Sequence, residues 1–250
     1  MPFSDANFVI LDSVDSTNNY AMQMIHERLA KDGDAFFAYS QTHGKGQRGN
    51  VWQTGERQNI ALSIVIQPYT LPISRQFRLS LIVSLACHDF FSLYAGEDTS
   101  IKWPNDLYWR DRKTGGVLIE NVLQGLDWKF AIAGIGININ QTQFDPGLLN
   151  PVSLKQITGN DFNLLALAKE LHQHVLKRHF QLEILPFEQL LKEYNSRLYG
   201  LNKKVLLKKE GVVFETMIKG VSQHGQLITV DSIERRFNFG EVEWEIHAYS

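Results

Sequence analysis

Residues 41–50 read QTHGKGQRGN, and in that one loop three glycines (Gly44, Gly46, Gly49) are interleaved with two cations, Lys45 and Arg48. Glycine lets the backbone come close to a ligand, and Lys and Arg supply charge and donors, so the combination suits an anion. The spacing is neither the strand-linked dinucleotide fingerprint nor the phosphate loop that ends in Gly-Lys-Ser/Thr. Three further stretches carry polar groups at unusual backbone. In IKWPNDLYW, Pro104 interrupts a continuous strand and sets Asn105 and Asp106 at a bend just after Lys102. In RKTGGVLIE, Lys113 precedes the Gly115-Gly116 pair, which places a cation beside backbone that can approach a ligand. In AIAGIGININ, Gly134 and Gly136 interrupt an apolar run that ends near Asn138. Taken singly, each has an ordinary alternative: a mobile surface turn, a Pro-Asn-Asp turn, an exposed hairpin lysine, or a packed strand with one satisfied Asn.

The elements that must position these groups are legible from periodicity. After apolar FVIL, the segment DSTNNYAMQMIHERLAKDG offers Asp15 or Ser16 as an N-cap, with Ala21, Met24, Ile25 and Leu29 at helical spacing and Gly33 as a stop. AFFAYSQ and NIALSIVIQP read as strands on either side of the glycine loop, which puts a ligand at the edge of a sheet. A helix over about Ile73 to Leu93 follows Pro72, and SIKWPNDLYW, KTGGVLIENVLQG and WKFAIAGIGININ read as successive strands with a hairpin turn at Gln124–Asp127. From Asn163 a long leucine-rich helix and a shorter one around Phe187 to Leu198 are separated by Pro186. Beyond Leu201 short strands return, with turns at Glu210-Gly211 and His224-Gly225, which suggests a small all-β barrel.

Composition narrows the function classes. A 250-residue chain with 44% hydrophobic residues can bury a sizeable core, and a net charge of −2 argues against a protein whose main task is coating nucleic acid. The single cysteine, Cys87, lies in an apolar run, excludes an internal disulfide and reads as a buried small hydrophobe. No signal-peptide pattern and no apolar run of about 18 residues is expected to address a membrane, so the location expected is cytoplasmic. The histidines lack zinc-site spacing, and no Gly-x-Ser-x-Gly elbow is present, so neither a protein-held metal nor a serine triad is expected.

Taken in order, DSTN, QTHGKGQRGNVW, KWPNDLYW, RKTGGVLIE and GIGININ resemble the biotin protein ligases, or biotin–[acetyl-CoA-carboxylase] ligases, over about Phe8 to Leu198. GVVFETMIKGVSQHGQLITVDS and FNFGEVEW more loosely resemble that family's C-terminal module. The resemblance implies an α+β fold: a mixed or antiparallel sheet with helices, of the class II synthetase-like biotin/lipoate ligase type, over residues 1–200, and an SH3-like β-barrel over 201–250. Because DSTN begins within the first twenty residues, the ligase-only class is expected rather than the repressor class with its winged helix-turn-helix, and no DNA partner is expected.

The same resemblance implies two half-reactions. Biotin and ATP, carried with Mg²⁺, give biotinyl-5′-adenylate and pyrophosphate; a lysine of a biotin carboxyl carrier protein then takes the biotinyl group and releases AMP. No tightly bound prosthetic group is implied, and the family's habit of pairing sheet edges makes a homodimer an expectation. By resemblance, Ser16, Thr17 and Asn18 line the ureido pocket and Gln41 hydrogen-bonds the ring, while Gly115 and Gly116 let backbone line the biotin site. Gly44, Lys45, Gly46, Gln47 and Arg48 correspond to the adenylate loop, Trp52 to an aromatic lid on the adenine side, and Asn138 to a nucleotide contact. Lys113 corresponds to the lysine that reaches the biotin carboxylate, Lys102 to a phosphate contact, and Asp106 to a Mg²⁺ contact or an acceptor for the incoming lysine's proton. The chain departs from the family at Gln47, where most members carry Arg in a GRGRRG-like pattern. A lipoate ligase shares this chemistry, but a lipoyl chain has no ureido ring for the polar Ser16, Thr17 and Gln41 set to grip. A non-catalytic biotin-sensing protein is the alternative of another class; it would not need Lys113, Arg48 and the intact glycine loop.

Overall fold

The computed structural model describes residues 6–245 except Thr54, Thr70 and Leu126. A seven-stranded mixed sheet is formed by β1 (Phe8–Leu11), β2 (Ala35–Ala38), β3 (Asn59–Ile66), β4 (Thr99–Lys102), β5 (Asp106–Trp109), β6 (Arg112–Gln124) and β7 (Asp127–Asn138), in the order β1-β2-β3-β7-β6-β5-β4. Only β1 and β2 run parallel, joined through helix α1 (Thr17–His26); the other pairs are antiparallel.

Side-chain size alternates along the central strands, and this alternation builds two different faces. On β7 the odd positions Ala131, Ala133, Ile135 and Ile137 join Ile60, Leu62, Ile64 and Ile66 of β3 in the main core. That face is covered by α2 (Phe77–Ala95) and α4 (Leu164–Ile184), which also pack on each other. The even positions, Gly134, Gly136 and Asn138, face the other way, beside a smaller cluster of Ala21, Ile25, Phe36, Val65 and Ile132 under α1. Strand period two therefore leaves a floor of small residues on the α1 side.

Several expectations need correction. Helix α1 stops at His26, well short of Gly33, because Arg28 takes a left-handed φ of 60° and turns the chain; Leu29 is consequently exposed. A short helix, α3 (Leu154–Thr158), was not anticipated, although its capping box of Ser153 and Gln156 is readable as S-x-x-Q. Against the expectation of no membrane-length apolar run, Ile73–Ala95 is long and apolar enough by length and composition to cross a membrane; it is mostly buried inside the protein as the central core helix. The predicted turn is bracketed by the pair Gln124↔Asp127, and its Leu126 lies outside the described residues.

After α5 (Phe187–Ser196), strands β8 (Lys204–Lys209), β9 (Val212–Val221), β10 (Leu227–Val230), β11 (Glu234–Phe237) and β12 (Glu243–Trp244) form a five-stranded antiparallel sheet of order β11-β10-β9-β8-β12. This sheet is fastened to the first by buried aromatics. The Trp103 indole Nε1 donates to the Gly225 carbonyl at 2.9 Å, and the Trp244 Nε1 donates to the Trp103 carbonyl at 3.2 Å. Leu207, Ile218, Val221, Leu227 and Phe237 belong to the same buried cluster as the helices of the first sheet.

Candidate active site

A cavity of about 620 Å³ lies on the glycine floor, bounded by the start of α1, the glycine loop, β6, β7 and the segment 144–151. Its neutral hydrogen-bonding set is built on α1. Ser16, the N-cap, is extended and makes no side-chain cap bond, so an orphan N–H of the first turn needs another acceptor. Gln41 provides it: its Oε1 accepts from the Thr17 backbone N–H at 2.8 Å and from the Thr17 hydroxyl at 3.1 Å. The donor on Gln41, Nε2, lies 3.0 Å from where a Cβ on Gly44 would sit, so glycine at 44 leaves it room.

The network continues through two residues that sequence reasoning missed. Ser63 Oγ lies 2.7 Å from Thr17 Oγ1 and 2.5 Å from Asn18 Oδ1, and Asn18 Nδ2 donates to Glu120 at 2.6 Å. Glu120 also pairs with Lys45 at 3.1 Å, which ties the glycine loop to β6. Both residues had a signal: Ser63 is the polar residue inside the apolar strand NIALSIVI, and Glu120 shares the site-facing parity of Gly116 and Leu118 on β6. The floor glycines are sterically required. A Cβ on Gly134 would overlap the Asn18 amide, and one on Gly136 would overlap the Trp52 indole, which rests on β7.

The same cavity also carries cations. Lys113 Nζ lies 2.7 Å from Asp106 Oδ1, across a register that puts Asp106 opposite Gly116. A Cβ on Gly116 would sit 3.2 Å from that same Asp106 oxygen, so its absence gives the pair space. Gln47 and Arg48 lie in a single 3₁₀ turn, Gln47–Gly49, with Arg48 at a left-handed φ of 55°. The charged residues lining the cavity are Lys45, Arg48 and Lys113 against Asp106, a formal balance of +2 in a chain whose net charge is −2. Such a concentration of positive charge favours an anionic ligand.

Most of the residues singled out from sequence converge here: Ser16, Thr17, Asn18, Gln41, Lys45, Gly46, Gln47, Arg48, Trp52, Asp106, Lys113, Gly116 and Asn138 all line the cavity. Three do not. Gly44 sits behind Gln41 and Trp52, and Gly115 points at β7, where a Cβ would lie 2.6 Å from the Gly136 carbonyl. Lys102 is buried beside the cavity, with its ammonium over the rings of Tyr108 and Trp244 and 3.3 Å from the hydroxyl of Tyr108, which lines it. Desolvation pushes its pKa down to about 8, although nearby Asp106 opposes the shift. The cavity also takes Phe144, Leu148, Leu149 and Pro151 from the segment after β7, and Phe239 from the second sheet; neither group was foreseen. Among the described residues no group of three or more His, Cys, Asp or Glu could hold a metal ion.

The family model described as "Biotin/lipoate A/B protein ligase family" matches residues 10–138, from β1 to the last residue of β7. The chain belongs to this family. Among curated family relatives, the bifunctional ligase/repressor BirA of Bacillus spizizenii is 30% identical over 191 residues, covering 75% of this chain and 54% of that protein. The biotin–[acetyl-CoA-carboxylase] ligase of Paracoccus denitrificans is 26% identical over 226 residues, covering 88% of this chain and 92% of the relative. Among solved structures, the biotin protein ligase from Aquifex aeolicus in complex with biotin and ATP is similar with a TM-score of 0.81 at 25% identity, covering 96% of this chain and 98% of that one. The chain spans about half the length of the Bacillus relatives it matches. The match ends at Asn138, so Phe144, Gly147, Leu148, Leu149, Pro151 and Phe239 line the cavity from outside the matched region.

Proposed function

We propose that this chain is a biotin–[acetyl-CoA-carboxylase] ligase: it activates biotin with ATP as biotinyl-5′-adenylate and transfers the biotinyl group to a lysine of a biotin carboxyl carrier protein. The observation that carries this reading is the meeting, in one cavity on a glycine floor, of a neutral hydrogen-bonding set with three cationic side chains. Relatives named as biotin–[acetyl-CoA-carboxylase] ligases and a similar structure solved with biotin and ATP support it.

In the first step the biotin carboxylate attacks the α-phosphorus of ATP, forming the C–O–P link as pyrophosphate leaves. That carboxylate is already ionised at neutral pH, so no protein base is needed; the protein must bring two anions together and neutralise them. Thr17, Asn18 and Gln41 hold the neutral ureido ring, with Gln41 fixed as a donor because its oxygen is occupied by Thr17. Lys113 faces the carboxylate and later the adenylate oxygens, its ammonium aimed by Asp106. Lys45 and Arg48 face the phosphates, and Trp52 walls the nucleotide side.

Mg²⁺ enters with the nucleotide as part of the substrate, where it offsets phosphate charge. Asp106 is the carboxylate of the cavity that would meet it, in keeping with the preference of Mg²⁺ for one or two carboxylates plus substrate phosphates. In the second step the neutral amine of the carrier lysine attacks the acyl carbon, AMP departs as leaving group, and Asp106 accepts the amine proton where it is not engaged by Mg²⁺. The chain acts in the cytoplasm. ATP–pyrophosphate exchange tests the first step: biotin should support it and lipoate should not, and the opposite preference would make the chain a lipoate-type ligase.

A further inference from the structure

We propose that the second sheet is part of the catalytic apparatus through Phe239 and Gly240, which latch Arg48 and so hold the glycine loop in its working shape. This rests on the adenylate-forming reading of the cavity, but the latch itself is a feature of the ligand-free protein.

Three independent features meet at one point. Arg48 keeps a left-handed backbone that side-chain-bearing residues seldom adopt, within a turn closed by the Asn50 N–H donating to the Gln47 carbonyl at 3.1 Å. The guanidinium lies 4.7 Å from the centroid of the Phe239 ring, the geometry of a cation–π contact. Gly240, at φ of 90°, has no Cβ, and one built there would overlap the same guanidinium. The Arg48 side chain therefore occupies space that only glycine at 240 leaves open.

Phe239 is in turn braced from the first sheet. Its ring meets Trp103 edge-on at 6.5 Å, and Trp103 is pinned by its hydrogen bond to the Gly225 carbonyl. Trp103 also precedes the Pro104-Asn105-Asp106 bend that supplies Asp106 to the cavity. One aromatic contact thus links the arginine of the glycine loop, the carboxylate strand and the second sheet. Phe239 itself lines the cavity and is half exposed, which separates its role from that of a core residue. It is a positioning residue: it acts on the adenylate phosphate through Arg48.

The test uses the full chain with Phe239→Ala, Phe239→Trp, Arg48→Ala and the Phe239→Ala/Arg48→Ala pair. Amide exchange across residues 44–53 without ligand should quicken in Phe239→Ala and return to the parent rate in Phe239→Trp, with the melting temperature unchanged. The KM for ATP in biotin-dependent pyrophosphate exchange should rise about two- to fivefold in Phe239→Ala, the range expected for one exposed cation–π contact. The double variant should be no worse than Arg48→Ala alone. Unchanged loop exchange in Phe239→Ala, or additive losses in the double variant, would overturn the latch. Because exchange is read without substrate, the latch stands or falls separately from the reaction assigned to the cavity.

Discussion

Lys102→Met should change how stability depends on pH, and the size of the effect follows from the buried position of the ammonium. Lys102 is 8% exposed, and desolvation lowers its pKa from 10.5 to about 8. That depression corresponds to about 3 kcal/mol against carrying the charge in the fold. Below pH 8 the lysine is protonated in both folded and unfolded chains, and the folded state bears the whole penalty. Between 8 and 10.5 the folded lysine is neutral while the unfolded one still holds its proton. The unfolded state then binds more protons, so stability rises with pH across that window. From pH 7.5 to 9.5 the parent should gain about 2 kcal/mol relative to Lys102→Met, which lacks the titrating group. Above pH 10 both proteins should lose stability together, because burial holds the Tyr108 phenol well above its ordinary range and it resists the ionisation open to the unfolded chain. Urea unfolding of both proteins at pH 7.5, 8.5 and 9.5 measures the difference directly. A constant gap between them would refute the buried placement of Lys102 against Tyr108 and Trp244.

Four other substitutions probe the cavity itself. Lys113→Gln should lower adenylate formation by about a hundredfold or more while changing stability by less than about 1 kcal/mol, since its pair with Asp106 is only partly buried; near-parental turnover with an intact melting curve would remove Lys113 from the reaction. Gly136→Ala should displace the Trp52 indole and raise the ATP KM, on the order of tenfold if the lost contact is worth about 1.4 kcal/mol; an unaltered KM would mean that Trp52 does not wall the nucleotide side. Gln47→Arg should prolong retention of the adenylate and reduce stray labelling of bystander lysines, whereas Arg48→Gly should increase it; if neither substitution alters labelling, the loop's cations do not hold the intermediate.

The strands were legible because their signals are local: a run of apolar residues broken by Ser63 for β3, and alternating glycine and isoleucine for β7, whose two faces became floor and core. The convergence of Thr17, Gln41, Asp106 and Lys113 followed from short motifs carrying charged or amide groups beside glycine. The roles of Glu120 and Ser63 depend on strand register, which pairs residues far apart in the chain, so sequence spacing alone could not assign them. Lys102 shows the converse. It sits in a motif full of functional groups and on the same sheet face as Asp106, yet its side chain is buried against aromatics supplied by Tyr108 and by Trp244 more than a hundred residues later, outside the cavity lining. Phe239 was invisible for the same reason, since nothing near it in sequence reveals that its turn abuts the glycine loop. Leu29 failed differently: the helical period continues past His26, but the left-handed turn at Arg28 ends the helix before that residue can be buried.

The most direct test of the central claim is the mass of a biotin carboxyl carrier domain after incubation with this chain, biotin and MgATP. The account predicts one added biotinyl group on a single lysine, dependent on ATP and lost with Lys113→Gln. An unmodified carrier, or a carrier that gains a lipoyl group instead when lipoate is supplied, would contradict it.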